Sequence, residues 1–114
     1  MKVDPRRFEE LVATALDDVP EPFASALGGV AVVVERRAPP EDPDLYGLYL
    51  GAPLTDPESA IGFPPPRIAI YMEPLVSDCA SEAEVVEEVR ITVLHELGHH
   101  LGMDEDQLDR LGYG

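Results

Sequence analysis

Two histidines and a glutamate near the C-terminus, His95, Glu96 and His99, have the spacing H-E-x-x-H. On an α-helix, residues i and i+4 lie one above the other on the same face, so His95 and His99 can present two imidazole nitrogens to one metal ion. Glu96 lies beside the pair, where its carboxylate could act as a general base toward water on that ion. The spacing therefore predicts a metal site with hydrolytic chemistry.

A catalytic zinc site needs a third protein ligand, and the residues that follow the motif offer several. Gly102 can take the left-handed conformation that closes a helix and lets the chain turn back. Glu105 comes three residues later, and its carboxylate is the predicted third ligand. The flanking residues Asp104 and Asp106 are the alternatives.

With zinc as the cofactor, Glu96 is predicted to accept the proton of the zinc-bound water and pass it to the leaving amine of a peptide or protein substrate. The strand predicted at residues 67–71 has backbone groups that could hold an extended peptide by strand addition. Tyr113 is a candidate donor to the developing oxyanion, although packing of its ring against the helix is the preferred interpretation. His100 points away from the other histidines and is predicted to support the site or face the core.

Apolar spacing and helix caps predict the elements that position these residues. A helix is expected over residues 5–18, because Asp4-Pro5 is a helix start and apolar residues follow at helical spacing. The capping-box pattern Ser81 to Glu84 begins a helix of roughly 20 residues that carries the motif in its last two turns. Asp104 is expected to cap a short final helix. Strands are predicted at residues 30–34, 45–50 and 67–71.

Prolines shape the middle of the chain. Three of them, residues 64–66, come directly before the strand at 67–71 and favour an edge position for it. The turn-rich stretch 51–66 is long for an irregular segment in a small domain, so a functional role is expected there.

Length and charge limit the classes of partner. A chain of 114 residues is expected to form a single domain, and its 45% hydrophobic content predicts a packed core. The 23 acidic residues outnumber the eight basic ones, which gives a formal net charge of −15. Such a chain repels phosphates, so neither nucleic acid nor an anionic membrane surface is an expected partner. The acidity is interpreted mainly as solvated surface, and a preference for basic substrates is the weaker interpretation.

The cysteine content and the N-terminus favour a cytoplasmic location. Cys79 is the single cysteine, so no internal disulfide is expected, and it is predicted to be a small buried or half-buried residue in a reducing compartment. The N-terminus lacks the apolar stretch of a signal peptide, and no segment approaches the ~20 apolar residues of a membrane span.

The full pattern from His95 to Glu105, H-E-x-x-H-x-x-G-x-x-E, resembles the zincin superfamily of metallopeptidases. The wider chain is similar to a short bacterial zincin-like family of predicted zinc metallopeptidases. The segments that carry this similarity are YGLYLG at 46–51, RIAIY at 67–71, HELGHHLG at 95–102 and LGY at 111–113.

The resemblance implies an α+β fold, a minimal zincin-like metallopeptidase domain over residues 1–114. A small mixed twisted sheet is expected to pack on the long active-site helix, with an N-terminal helix and a short C-terminal helix. The strand with Ile68 and Ile70 is expected nearest the cleft. Glu105 stands where metzincins have histidine, and only nine residues follow it, so a methionine turn is not expected and the site should be shallow and open.

Two functions fit this sequence. The first is a zinc-dependent peptidase, and the alternative is a metal-binding regulatory or interaction module with little or no proteolytic activity. A metal-dependent hydrolase of a non-peptide amide is a third and weaker possibility. Neither the substrate nor the oligomeric state is predicted by the sequence.

Overall fold

A computed structural model describes residues 1–52, 54–55 and 61–114, so part of the turn-rich stretch 51–66 and its expected functional role lie outside the described residues. Within them the chain forms five helices and three strands. In chain order these are α1 (Pro5–Leu16), α2 (Phe23–Leu27), β1 (Ala31–Glu35), β2 (Gly47–Leu50), β3 (Arg67–Tyr71), α3 (Met72–Asp78), α4 (Glu82–His100) and α5 (Glu105–Leu111). The predicted α+β class is confirmed.

Helix α1 begins where its cap predicts and ends slightly early. The Asp4 side chain accepts a hydrogen bond from the Arg7 backbone N–H at 2.9 Å, which satisfies one of the free amides of the first turn. The helix ends at Leu16, two residues before the predicted end, because Asp17 is extended and Asp18 has a φ of +58°.

Helix α4 is the long helix predicted to carry the motif, and it forms the centre of the core. Ser81 caps it by accepting a hydrogen bond from the Glu84 N–H at 3.2 Å. One face of α4 packs against α1 and the sheet. Its fully buried residues are Val85, Val89, Val93, Leu94 and Leu97. Within the described part of the chain, no helix combines the length and apolarity needed to cross a membrane.

The sheet has the strand order β1-β3-β2, with β1 parallel and β2 antiparallel to β3. The prediction that residues 67–71 form an edge strand was therefore wrong. The prolines at 64–66 precede the strand and leave its own N–H groups intact, so they do not prevent pairing on both sides. Pro66 even adds to the ladder, because its carbonyl accepts a hydrogen bond from the Ala31 N–H at 3.2 Å. Among the described strands, β1 and β2 form the two edges of the sheet, and β2 is the edge that packs against α4.

Two short helices, α2 and α3, were not predicted. Helix α2 has five residues, too few for a periodic apolar pattern. Helix α3 follows β3 without a loop and contains Pro74 in its first turn, where the missing N–H costs no helical hydrogen bond. The short final helix α5 was predicted, and Asp104 caps it.

Candidate metal centre

Helix α4 places His95 and His99 on one face near its C-terminal end. Their Nε2 atoms are 3.0 Å apart, and their ring centroids are 4.6 Å apart. The His95 side chain is 24% exposed and the His99 side chain 34% exposed, so both reach solvent. The four-residue spacing thus brings two imidazole nitrogens together, as the helical geometry requires.

The turn after α4 returns Glu105 to the two histidines. Gly102 makes this turn with a φ of +91°, a conformation that glycine adopts without steric cost. Glu105 is the first residue of α5, and its Oε1 lies 2.6 Å from His99 Nε2 and 3.5 Å from His95 Nε2. The three side chains form a group in which one ligand atom from each lies within 4.8 Å of the others.

The neighbouring acids, which the sequence left as alternatives, lie outside this group. Asp104 caps α5: its Oδ1 accepts from the Gln107 N–H at 2.8 Å, while the Asp104 N–H donates to Gln107 Oε1 at 2.8 Å. Its carboxylate is therefore engaged in the helix cap. Asp106 follows Glu105 on α5 and is exposed. Of the three acids, Glu105 is the one that the fold brings to the histidines.

The donor set suits zinc, which binds two imidazole nitrogens and a carboxylate in many catalytic sites. Ligand atoms of a tetrahedral zinc ion are roughly 3.3 Å apart, and the three distances here lie between 2.6 and 3.5 Å. His95 Nδ1 lies 2.7 Å from the Tyr113 carbonyl oxygen, which can only accept, so in the neutral ring Nδ1 carries the proton and Nε2 keeps its lone pair. The residues present fit a zinc ion.

Glu96 is held beside the histidines by a hydrogen bond from the edge strand β2. The Tyr49 N–H of β2 donates to Glu96 Oε1 at 2.8 Å. The expectation that the strand with Ile68 and Ile70 lies nearest the cleft was wrong, since both side chains are fully buried in the core and β2 contacts Glu96. A single main-chain hydrogen bond thus fixes the carboxylate that the sequence nominates as the base.

A cavity of about 470 Å³ opens beside this carboxylate, between α4 and the segment that leads into β2. His95 and Glu96 line one part of it. Asp42, Asp44 and Glu88 line another part and give it an acidic wall. A molecule bound in this cavity would lie next to the candidate base and to one of the candidate ligands.

His100 packs against the strand instead of joining the cluster. Its ring stacks on the Tyr49 ring with centroids 3.9 Å apart and an interplanar angle of 27°. Burial lowers the pKa of His100 below the usual histidine value. Tyr49 therefore contacts two residues near the end of α4, with its N–H on Glu96 and its ring on His100.

Tyr113 packs through its ring against α2, whereas the preferred interpretation had placed the ring against the motif helix. The ring meets Phe23 edge-on, with centroids 5.5 Å apart and planes at 90°. The group that reaches the site is its main-chain carbonyl, which sequence reasoning missed because every residue carries one. The one signal in the sequence was Gly112, which indicates a helix end but not where the next carbonyl points.

A comparison with protein-family models matches residues 27–114 to the family described as zincin-like metallopeptidase. The match includes every element from β1 to α5 and all of the candidate site. A search of curated proteins finds no match.

Proposed function

The chain belongs to the zincin-like metallopeptidase family, and from this we propose that it is a zinc-dependent peptidase with Glu96 as its general base. The observation that carries the proposal is the convergence of His95 Nε2, His99 Nε2 and Glu105 Oε1 beside a Glu96 carboxylate anchored by the Tyr49 N–H. H-E-x-x-H chemistry assigns metal binding to the two histidines and proton transfer to Glu96, and Glu105 adds the third ligand atom.

His95, His99 and Glu105 would hold the zinc ion. When bound, zinc lowers the pKa of water to about 7 and acts as a Lewis acid toward a carbonyl oxygen. Both histidines are needed as neutral ligands, and the Tyr113 carbonyl keeps His95 in the tautomer that leaves Nε2 available.

Glu96 would take the proton from the attacking water and return it to the leaving amine. One of its oxygens accepts the Tyr49 N–H at 2.8 Å, so the carboxylate has a fixed orientation before substrate arrives. Such preorganisation is valuable in a base, because the proton must move within hydrogen-bond distance of the reacting atoms.

The outer edge of β2 would hold an extended peptide. Tyr71 N–H donates to the Tyr46 carbonyl at 2.8 Å, and in antiparallel pairing the residues that face the partner strand alternate. The backbone groups of Leu48 then face β3, whereas those of Gly47 and Tyr49 face away from it. The Tyr49 N–H is taken by Glu96, so a peptide along this edge would pair with the Gly47 backbone groups and the Tyr49 carbonyl, and it would pass the Glu96 carboxylate.

The test is elemental analysis together with peptide hydrolysis for the wild type, Glu96→Gln and His95→Ala. Glutamine keeps the size of Glu96 and can still accept the Tyr49 N–H. We expect about one zinc per chain in the wild type and in Glu96→Gln, a loss of roughly 100- to 10,000-fold in kcat for Glu96→Gln, and loss of zinc in His95→Ala. Glu87→Gln, an exposed substitution on the same helix, is the matched control and should retain activity.

Other outcomes distinguish the alternatives. Equal zinc content in the wild type and His95→Ala would contradict the site. Full zinc binding with no turnover of a broad peptide library would favour the regulatory or interaction module, and turnover of small amides but not peptides would favour a different hydrolase. The openness of the site supports the alternative of a regulatory or interaction module, since the Glu105 side chain is 62% exposed.

A further inference from the structure

The main chain after helix α5 reaches one of the candidate metal ligands, His95. The Tyr113 carbonyl oxygen lies 2.7 Å from His95 Nδ1, although 18 residues separate them in the chain. A carbonyl accepts but cannot donate, so this hydrogen bond requires a proton on Nδ1. In the neutral ring that a metal needs, the other nitrogen, Nε2, is then left with its lone pair directed toward His99 and Glu105.

Two backbone hydrogen bonds fix the position of this carbonyl. Gly112 has a φ of +88°, and its N–H donates to the Asp109 carbonyl at 3.0 Å. The Tyr113 N–H donates to the Leu108 carbonyl at 2.9 Å. This pattern closes the C-terminus of α5 and needs a left-handed residue at position 112, which glycine supplies. The Tyr113 ring adds a third anchor through its edge-on contact with Phe23.

Helix α5 therefore serves the site at both of its ends. Its first residue, Glu105, is the candidate third ligand, and the carbonyl two residues past its last residue orients a different candidate ligand. Between these ends, Leu108 is fully buried and lies against Gly98 of α4, which holds the helix in place. One short helix thus links the position of Glu105 to the orientation of His95.

We propose that Tyr113 is a positioning residue, whose main-chain carbonyl, placed by the left-handed turn at Gly112, holds His95 in the tautomer and orientation that bind the metal. The proposal rests on the proposed function for the identity of the metal. Hydrogen-bond partners of metal-bound histidines typically change metal affinity by about 10- to 100-fold when they are lost. The carbonyl here is supplied by the backbone, so the residue that controls it is Gly112.

The experiment compares Gly112→Val with Gly112→Asn. No atom lies within 4 Å of a Cβ built at this position, so both side chains have space and the two variants differ in backbone preference. Asparagine accepts the left-handed conformation, whereas the β-branched valine resists it. We expect a roughly 10- to 100-fold weaker zinc affinity for Gly112→Val, measured by chelator competition, and an affinity within about threefold of the wild type for Gly112→Asn.

A second readout separates orientation of His95 from simple loosening of α5. Nitrogen NMR of the metal-free protein should show His95 protonated at Nδ1 in the wild type and in Gly112→Asn, and a mixture of tautomers in Gly112→Val. Glu105→Gln serves as the reference, because it should weaken zinc binding while the His95 tautomer stays unchanged.

Failure of the positioning role of Tyr113 can be distinguished from failure of the proposed zinc-dependent function. If the wild type binds no zinc, the proposed function fails, while the tautomer measurement in metal-free protein still decides the positioning role. If the wild type binds zinc and Gly112→Val matches Gly112→Asn in both affinity and tautomer, the positioning role of Tyr113 is overturned.

Discussion

At the residue scale, the three candidate ligands depend on different parts of the fold. His95 and His99 share one helix, so their separation follows from helical geometry alone. Glu105 lies on another helix and is 62% exposed, so its approach depends on the turn at Gly102 and on the docking of α5. The carboxylate is therefore the ligand whose contribution most needs a direct measurement.

Glu105→Ala should weaken zinc affinity by more than about 100-fold, because loss of a ligand exceeds the effect of losing a supporting hydrogen bond. Asp106→Ala is the matched control: it removes the same charge from the next residue of the same exposed turn. We expect Asp106→Ala to bind zinc within about threefold of the wild type, since a single exposed charge contributes little. Chelator competition measures both affinities, and equal losses would show that the site responds to overall charge rather than to Glu105 as a ligand.

The sequence predicted the side chains of the site because their types and spacing are themselves the signal. His95, Glu96 and His99 lie within about one turn of a helix. Gly102 ends that helix and turns the chain, so an acid that follows soon after it can return to the histidines. The two main-chain contacts, from the Tyr49 N–H to Glu96 and from His95 to the Tyr113 carbonyl, could not be predicted in the same way. Backbone groups are identical at every residue, so only the folded path of the chain reveals which of them reach the site.

At the element scale, the helices with clear caps were predicted well, whereas the short helices α2 and α3 were missed and residues 67–71 were wrongly placed at a sheet edge. Asp4, Ser81 and Asp104 each begin a helix as expected, since a capping side chain satisfies specific N–H groups at one position. Strand order depends instead on contacts between residues distant in the chain. The prolines before β3 were interpreted as marking an edge, but they lie outside the paired residues, and β2 occupies the edge beside α4.

The docking of α5 on α4 depends on Gly98, which accommodates the buried Leu108. A methyl group at Gly98 would overlap Leu108, and overpacking costs about 1–3 kcal/mol. The better helix propensity of alanine offsets about 1 kcal/mol of that cost. Gly98→Ala should therefore lower the free energy of unfolding by up to about 2 kcal/mol and weaken zinc binding by displacing Glu105.

A double-mutant cycle with Leu108→Ala tests this contact. Leu108→Ala alone should cost about 2–5 kcal/mol, because it leaves a cavity. With Leu108 shortened, the added methyl at Gly98 has room, so Gly98→Ala should become neutral or stabilising in that background. Denaturant unfolding of the four proteins gives the coupling, and an equal cost of Gly98→Ala in both backgrounds would rule out the proposed packing.

At the scale of the whole molecule, one fully buried core positions a site that remains near solvent. The buried face of α4 packs on α1 and the sheet, while the end of the same helix presents His95 and His99 at the surface. The N-termini of α1 and α4 are also joined by the Arg7–Glu82 ion pair at 2.8 Å, which lowers the pKa of Glu82. The site thus lies at one end of a rigid helix, and α5 is the smaller element that completes it.

The charge of the molecule predicts which peptides bind best. A net charge of −15 and the acidic wall of the cavity beside Glu96 should attract cationic substrates and repel anionic ones. Binding can be measured without turnover by fluorescence anisotropy of labelled peptides on zinc-loaded Glu96→Gln. Peptides with lysine should bind roughly tenfold more tightly than matched peptides with glutamate at low salt.

This preference should shrink to within about threefold at 1 M salt, where the Debye length falls to about 3 Å. Asp44→Asn, in the wall of the cavity, should reduce the low-salt preference more than Glu9→Gln, which removes an equal charge from α1. An equal effect of the two substitutions would assign the preference to net charge alone. Tighter binding of the glutamate peptides would contradict electrostatic selection altogether, and would require substrate to contact a part of the surface other than this cavity.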